Sequence, residues 1–246
     1  MFLITMAGLS SRFFKAGYSR PKYQLDIEGR TAFALSVLSF ARYFKTDLFL
    51  FVVRDIYGTP DFVQQEATSL GISNFKIVVL EQETRGQAET AYLAVNQEPI
   101  EEPIFIFNID TFRNNYIKPE FIDECEGYLE VFEGEGTHWS FVLPGEKHTV
   151  LQTSEKQRIS NLCSDGLYYF RTRELFCSAY VDALSNEKLV NGEIYIAPLY
   201  NFLIDSGHTI KYESIRISDI DFCGTPEEYE LLLSKRAKSN SEVVEQ

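Results

Sequence analysis

Four segments of the chain are almost continuously apolar: residues 2–6 (Phe-Leu-Ile-Thr-Met), Leu48–Val53, Phe75–Leu80 and Pro103–Ile109. Strands covered on both faces of a parallel sheet read this way. The stretches between them have another period. Within 31–44, Phe33, Val37, Leu38, Phe40 and Ala41 fall at helical spacing. Residues 59–70 read as a helix opened by Thr59-Pro60-Asp61, with its proline in the first turn. Residues 87–96 form a third helical stretch. Strand and helix in alternation predict an α/β fold whose parallel sheet carries helices on both faces. The spacing is too short for a (β/α)₈ barrel. From about residue 137 the pattern changes. Trp139–Leu143, Thr149–Thr153 and Leu167–Phe170 read as strands joined by turns, 173–185 and 194–206 as helices, and 226–236 as a closing helix. The expected organisation is one domain over 1–236. A polar tail, 237–246, is expected to fray. No internal repeat is present.

Composition narrows the partners. At 246 residues and 45% hydrophobic, with 20 Phe and 14 Tyr, the chain can bury one large core. No run of 18 apolar residues could span a bilayer. The N-terminus lacks the basic start and small-residue cleavage site of a signal peptide, so the expected location is the cytoplasm. The net charge of −13 and pI near 4.8 disfavour nucleic acid and anionic lipid. An enzyme of polyanionic nucleotides on such a chain needs a local basic pocket and a divalent cation. The four cysteines include no C-x-x-C pair, so free thiols are expected. The three histidines show no zinc spacing.

Seven short stretches carry candidate chemistry. Met6-Ala7-Gly8-Leu9-Ser10-Ser11-Arg12-Phe13 follows the first strand directly. Small residues there let backbone N–H groups approach phosphate oxygens, with hydroxyls from Ser10 and Ser11 and a cationic fork from Arg12. A tight βα turn with a surface arginine is the plain alternative. The stretch is neither G-x-x-x-x-G-K-[ST] nor G-x-G-x-x-G. Pro21-Lys22 offers a lysine that could close over an α-phosphate, or merely a solvated side chain beside a turn. In Gln82–Ala91, Gly86 allows close backbone approach and Gln82 an amide for a base edge, on what is otherwise a helix start. Asp110 ends the strand Ile104–Ile109, at the sheet edge where α/β folds bind ligands. A buried carboxylate there needs a partner, and Mg²⁺ with oxygen ligands is one. Glu155-Lys156 precedes Asp165-Gly166-Leu167-Tyr168-Tyr169-Phe170. Asn191-Gly192-Glu193 opens a helical stretch, and Gly224-Thr225-Pro226-Glu227-Glu228 reads as a turn, a cap and a first turn rich in acids.

The loop of form A-G-x-[GS]-[ST]-R-[FL], followed by P-K at the N-terminus, resembles the sugar-1-phosphate nucleotidyltransferase superfamily. The later stretches extend the resemblance over residues 5–230. It implies a single-domain, glycosyltransferase-A-like (Rossmann-like) fold with a mixed, mainly parallel sheet flanked by helices. It implies catalytic roles for Arg12, Lys22 and Asp110. Ala7, Gly8, Ser10, Ser11, Gln82, Gly86 and Gln87 would bind the nucleotide, and Lys156, Gly166 and Glu193 the acceptor. Mg²⁺ would be held by Asp110 with Asp221 or Asp219. Ser10 stands where the family commonly has glycine, which is accommodated if its φ stays negative. The implied reaction joins a pyrimidine NTP to a sugar 1-phosphate and releases pyrophosphate, for surface or capsular polysaccharide. No nucleic acid or membrane partner is expected, and a homodimer is allowed. Three alternatives accompany this reading: a cytidylyltransferase for a phosphocholine-like or phospho-amino-acid acceptor, a glycosyltransferase, and an inactive binding module. The last would turn Arg12, Lys22 or Asp110 away from the common pocket.

Overall fold

A computed structural model describes residues 1–98, 101–187 and 189–244, with side chains through residue 237. In chain order the elements are β1 (Phe2–Thr5), α1 (Ser11–Lys15), β2 (Asp26–Ile27), β3 (Arg30–Thr31), α2 (Ala32–Leu38), β4 (Phe49–Arg54), α3 (Thr59–Ser69), β5 (Phe75–Leu80), α4 (Gln87–Gln97) and β6 (Ile104–Asn108). They continue with β7 (Thr111–Arg113), β8 (Gly127–Glu133), β9 (Ser140–Pro144), β10 (Val150–Glu155), β11 (Leu162–Phe170), α5 (Arg173–Ser185), α6 (Leu199–Asp205), β12 (Ile210–Ser214), β13 (Ile220–Phe222) and α7 (Pro226–Val244).

The four apolar runs are the parallel half of the main sheet: β1 pairs with β4 and β6, and β4 with β5. Side chains alternate across a strand, and here the alternation sorts them by type. Phe2, Phe49, Phe51, Phe105 and Phe107 meet α2 and α3 on one face. Leu3, Leu50, Val52, Ile104 and Ile106 meet α4, α5 and α6 on the other. The fold is thus the expected α/β domain with helices on both faces.

The full order is β10-β9-β11-β6-β1-β4-β5, with β8 on β11 and β12 on β8. Strand β11 shapes the cleft. Its first residues pair with β9 and its last with β6, both antiparallel, and its register shifts between Ser164 and Tyr168. The sheet therefore splits where β6 ends. A separate ribbon, β7 with β13, closes over that end.

Three helices differ from expectation, and strand β11 begins at Leu162, five residues ahead of the expected Leu167. The 31–44 helix stops at Leu38 and gives way to a turn, where Ser39 Oγ accepts the Arg113 N–H at 2.9 Å. The 194–206 helix begins only at Leu199, after Pro198. Residues ahead of it are tied to another loop, with the Ile194 N–H donating to Arg85 O at 2.7 Å. The closing helix does not end at 236 but continues to Val244, because no glycine or proline interrupts it.

Candidate active site

A cleft of about 690 Å³ opens at the carboxyl ends of β1 and β6. Gly8, Ser10, Ser11 and Arg12 line it from the β1 side, and Lys22, Gln87, Asp110, Lys156, Gly166 and Glu193 from the others. Arg12, Lys22 and Asp110 therefore share one pocket, contrary to what the inactive-module alternative requires. A smaller pocket of about 380 Å³, around Leu151, Asn201 and Phe202, contains none of the expected site residues.

Each cation has its own setting. Lys22 Nζ lies 2.5 Å from Asp110 Oδ2, with about a quarter of each side chain exposed. Burial alone would raise the Asp110 pKa. The Lys22 charge and hydrogen bond, aided by Arg12, outweigh it and hold the carboxyl below its usual range. The Arg12 side chain is exposed and makes no hydrogen bond or ion pair with the described residues. Lys156 Nζ sits over the Tyr195 ring, 4.4 Å from its centroid, and 3.9 Å from Glu155 Oε1. Glu155 is nearly buried. Burial raises its pKa, against the hydrogen bond from Ser140 and the charge of Lys156.

Other expected site residues lie elsewhere. Gln82 is exposed outside the cleft, and Ala7 packs against the aliphatic core. Gly86 has φ 101, and a Cβ there would stand 2.8 Å from Ile194 O. Its glycine permits that close approach rather than contact with the cleft. Gly166, with φ 96, lines the cleft but also lies against Asn108, whose Nδ2 would be 2.3 Å from a Cβ. Asn108 Oδ1 in turn accepts from Gln87 Nε2 at 2.5 Å. The φ of Ser10 is 53, not negative as expected.

Neither Asp219 nor Asp221 lines the cleft. On β13 it is Phe222 that faces the cleft, and alternation turns Asp221 away. Asp221 pairs with Lys235 at 2.8 Å and Arg236 at 3.7 Å, and Asp219 with Arg216 at 2.9 Å. The carboxylate beside Asp110 belongs to Glu228. A Cβ on Gly224 would be 3.0 Å from Asp110 Oδ2 and 3.3 Å from Glu228 Oε2. Glu228 Oε2 accepts the N–H groups of Gly224 and Thr225, while the Glu228 N–H donates to Thr225 Oγ1. This is a capping box. The sequence displayed the box, but not that the same glutamate borders the cleft.

Further residues line the cleft without having been assigned a role, among them Trp139, which belongs to no motif, and Asp165, Tyr195 and Phe222, which stand in or beside the candidate stretches. Beneath the floor, Arg113 grips Glu130 through two nitrogens, at 2.8 and 3.3 Å. Asp165, 2% exposed, accepts the Leu167 N–H through Oδ1, and its Oδ2 has no partner in its ionised form. Burial, and then the charge of Glu130, push its pKa well above the carboxylate range. Burial beside a second carboxylate thus favours the protonated form of Asp165.

With this geometry in view, the comparisons with known proteins decide the family. A nucleoside-diphosphate-sugar pyrophosphorylase from Vibrio cholerae RC9 is 47% identical to this chain, with a TM-score of 0.92. The match covers 95% of this chain and 100% of that one. The chain belongs to the sugar-1-phosphate nucleotidyltransferases. Two more distant structures share the fold. One is the inositol-1-phosphate CTP transferase from T. maritima (TM-score 0.73, 16% identity, 95% and 94% covered). The other is a UDP-glucose pyrophosphorylase complexed with UDP-glucose (TM-score 0.74, 15% identity, 97% and 98% covered). No family profile matches the chain. No curated protein matches it either.

Proposed function

We propose that this nucleotidyltransferase joins a pyrimidine NTP to a small phosphorylated acceptor, a sugar 1-phosphate, and releases pyrophosphate, in the supply of activated sugars for surface polysaccharide. The observation that carries the reading is the convergence of Arg12, Lys22, Lys156 and Asp110 in one cleft of a chain whose net charge is −13. Three cations gathered against that overall field suit phosphate groups. The substrates in the names of related structures, CTP and UDP-glucose, are pyrimidine nucleotides and favour that base.

An acceptor phosphate oxygen is already anionic near neutral pH and attacks the α-phosphorus without a general base. The bond formed joins acceptor oxygen to α-phosphorus, and the bond broken frees the β- and γ-phosphates as pyrophosphate. Positioning and charge neutralisation carry such a reaction. Arg12, uncommitted to any described partner, would bind the departing pyrophosphate, Lys22 the α-phosphate and Lys156 the acceptor phosphate. Glu193, on the cleft wall, would accept from acceptor hydroxyls.

Among the described residues, no group of three or more acids, histidines or cysteines could cage an ion. Mg²⁺ does not require one, since it commonly binds one or two carboxylates together with substrate phosphates. Asp110 and Glu228, bordering the space beside Gly224, fit that donor set. Bound there, Mg²⁺ would neutralise charge on the reacting phosphates.

The test is pyrophosphate release with CTP, dTTP and UTP against a panel of phosphorylated acceptors, for wild type and Asp110→Asn. Wild type should turn over only with an acceptor present and stop on chelation of divalent ions. Asp110→Asn should lose at least about 100-fold in kcat, a typical loss for one electrostatic group, with an unchanged circular dichroism spectrum. Full activity in the variant would remove Asp110 from the reaction.

A further inference from the structure

Two loops of the cleft are fastened together by one hydroxyl. Ser10 ends the small-residue loop with φ 53 and ψ 30. An L side chain is strained in this left-handed region, whereas glycine is not. Serine just ahead of a helix ordinarily accepts from that helix's first amides, but the Ser10 side chain makes no such bond. Its Oγ instead accepts the backbone N–H of Lys22 at 3.2 Å. The same Lys22 sends its ammonium to Asp110.

The neighbouring residues of the lysine segment are anchored from the far side. Tyr23 is buried and its hydroxyl meets Thr59 Oγ1 at 2.6 Å, while Gln24 Nε2 donates to Tyr57 O at 3.2 Å. These bonds fix where the segment sits. The Ser10 bond acts on the main chain of the lysine itself.

We propose that Ser10 is a positioning residue: it holds the Lys22 backbone against the phosphate-facing loop so that the ammonium stays aimed into the cleft. Its hydroxyl is committed to Lys22 rather than offered to the nucleotide. Glycine at this position would relax the loop and release the lysine. The fastening itself rests only on geometry, and its kinetic consequence rests on the nucleotidyl-transfer reading above.

The experiment compares Ser10→Gly and Ser10→Ala, each alone and in a Lys22→Met background. Hydrogen exchange at the Lys22 amide should speed up about tenfold in both single variants, the scale of one lost hydrogen bond. The thermal midpoint should hold or rise in Ser10→Gly, which sheds the strain, and fall in Ser10→Ala, which keeps it. Ser10→Gly should lower kcat about tenfold with a smaller change in KM for the NTP. In the Lys22→Met background it should lower kcat no further, because the two residues act as a unit. Unchanged exchange at Lys22 would overturn the fastening. Equal kcat losses in both backgrounds would overturn the positioning role and make Ser10 an independent contact. If wild type transfers nothing to any acceptor, the proposed reaction fails, and the exchange result alone decides the fastening.

Discussion

Lys22 and Lys156 serve the cleft through different commitments. Lys22 is the counter-ion of Asp110, and in the proposed reaction the phosphate groups of the nucleotide would compete for its charge. Lys156 is held by the Tyr195 ring and hydroxyl, with Glu155 at 3.9 Å, and has no bond to Asp110. This separation predicts a separation in kinetics. Lys156→Ala should raise KM for the acceptor about 10- to 100-fold, the worth of a charge-assisted hydrogen bond, and leave KM for the NTP within about twofold. Steady-state kinetics with each substrate varied in turn would show it, and a change confined to the NTP would assign Lys156 to the nucleotide. At this scale the sequence disclosed the charged residues better than their neighbours. Arg12, Lys22 and Asp110 stand in compact motifs, and all three meet in the cleft. Asp221 looked equivalent to them on paper. Only its place on a two-stranded ribbon, one residue out of phase with Phe222, shows that it faces Lys235 instead.

Strand β11 brings a second kind of chemistry to the cleft. Where its register breaks, Asp165 is buried beside Glu130 and Arg113. A carboxyl with a raised pKa keeps its proton in the folded chain and loses it in the unfolded one. Stability from this group is therefore fully present below the unfolded value, about pH 4, and is lost as pH rises toward the folded value. Asp165→Asn imitates the neutral acid and should remove that dependence. Thermal midpoints of the two proteins should converge at low pH, with the variant pulling ahead as pH rises. A variant equally weakened at every pH would show that Asp165 is charged in the native state. The elements themselves were legible where one physical signal dominated. Strands β1, β4, β5 and β6 are almost pure apolar runs, whereas Gly127 and the buried Glu130 interrupt that pattern in β8. Strand β12 is too polar to stand out, and it is held by pairing with β8. The helix expected from 194 loses its first turn because residues 193–194 are needed against Gly86.

Across the molecule, the high phenylalanine content has a structural destination. The aromatic face of the sheet stacks Phe2 between Phe49 and Phe105, with centroids 5.2 and 4.9 Å away, and brings Phe40 to 4.5 Å. The same strands present aliphatic side chains to the opposite helices. Phe105→Ala should cost about 3–5 kcal/mol, as large aromatic truncations in a packed core do, and urea unfolding would measure it. A cost below about 1 kcal/mol would mean that this face is loosely packed. No helix among the described residues is long and apolar enough to cross a membrane. The rigid two-faced sheet leaves β1 and β6 side by side, so the loops that follow them meet at one edge. That adjacency brings residues about a hundred positions apart, Arg12 and Asp110, into one cleft. Phosphorus-31 NMR of the reaction, with the acceptor phosphate labelled with ¹⁸O, reads the outcome at the bonds themselves. Pyrophosphate should appear together with a nucleoside-diphosphate-linked acceptor whose bridging oxygen carries the label. Free nucleoside monophosphate, or nucleoside diphosphate with inorganic phosphate, would mean that the cleft performs another reaction.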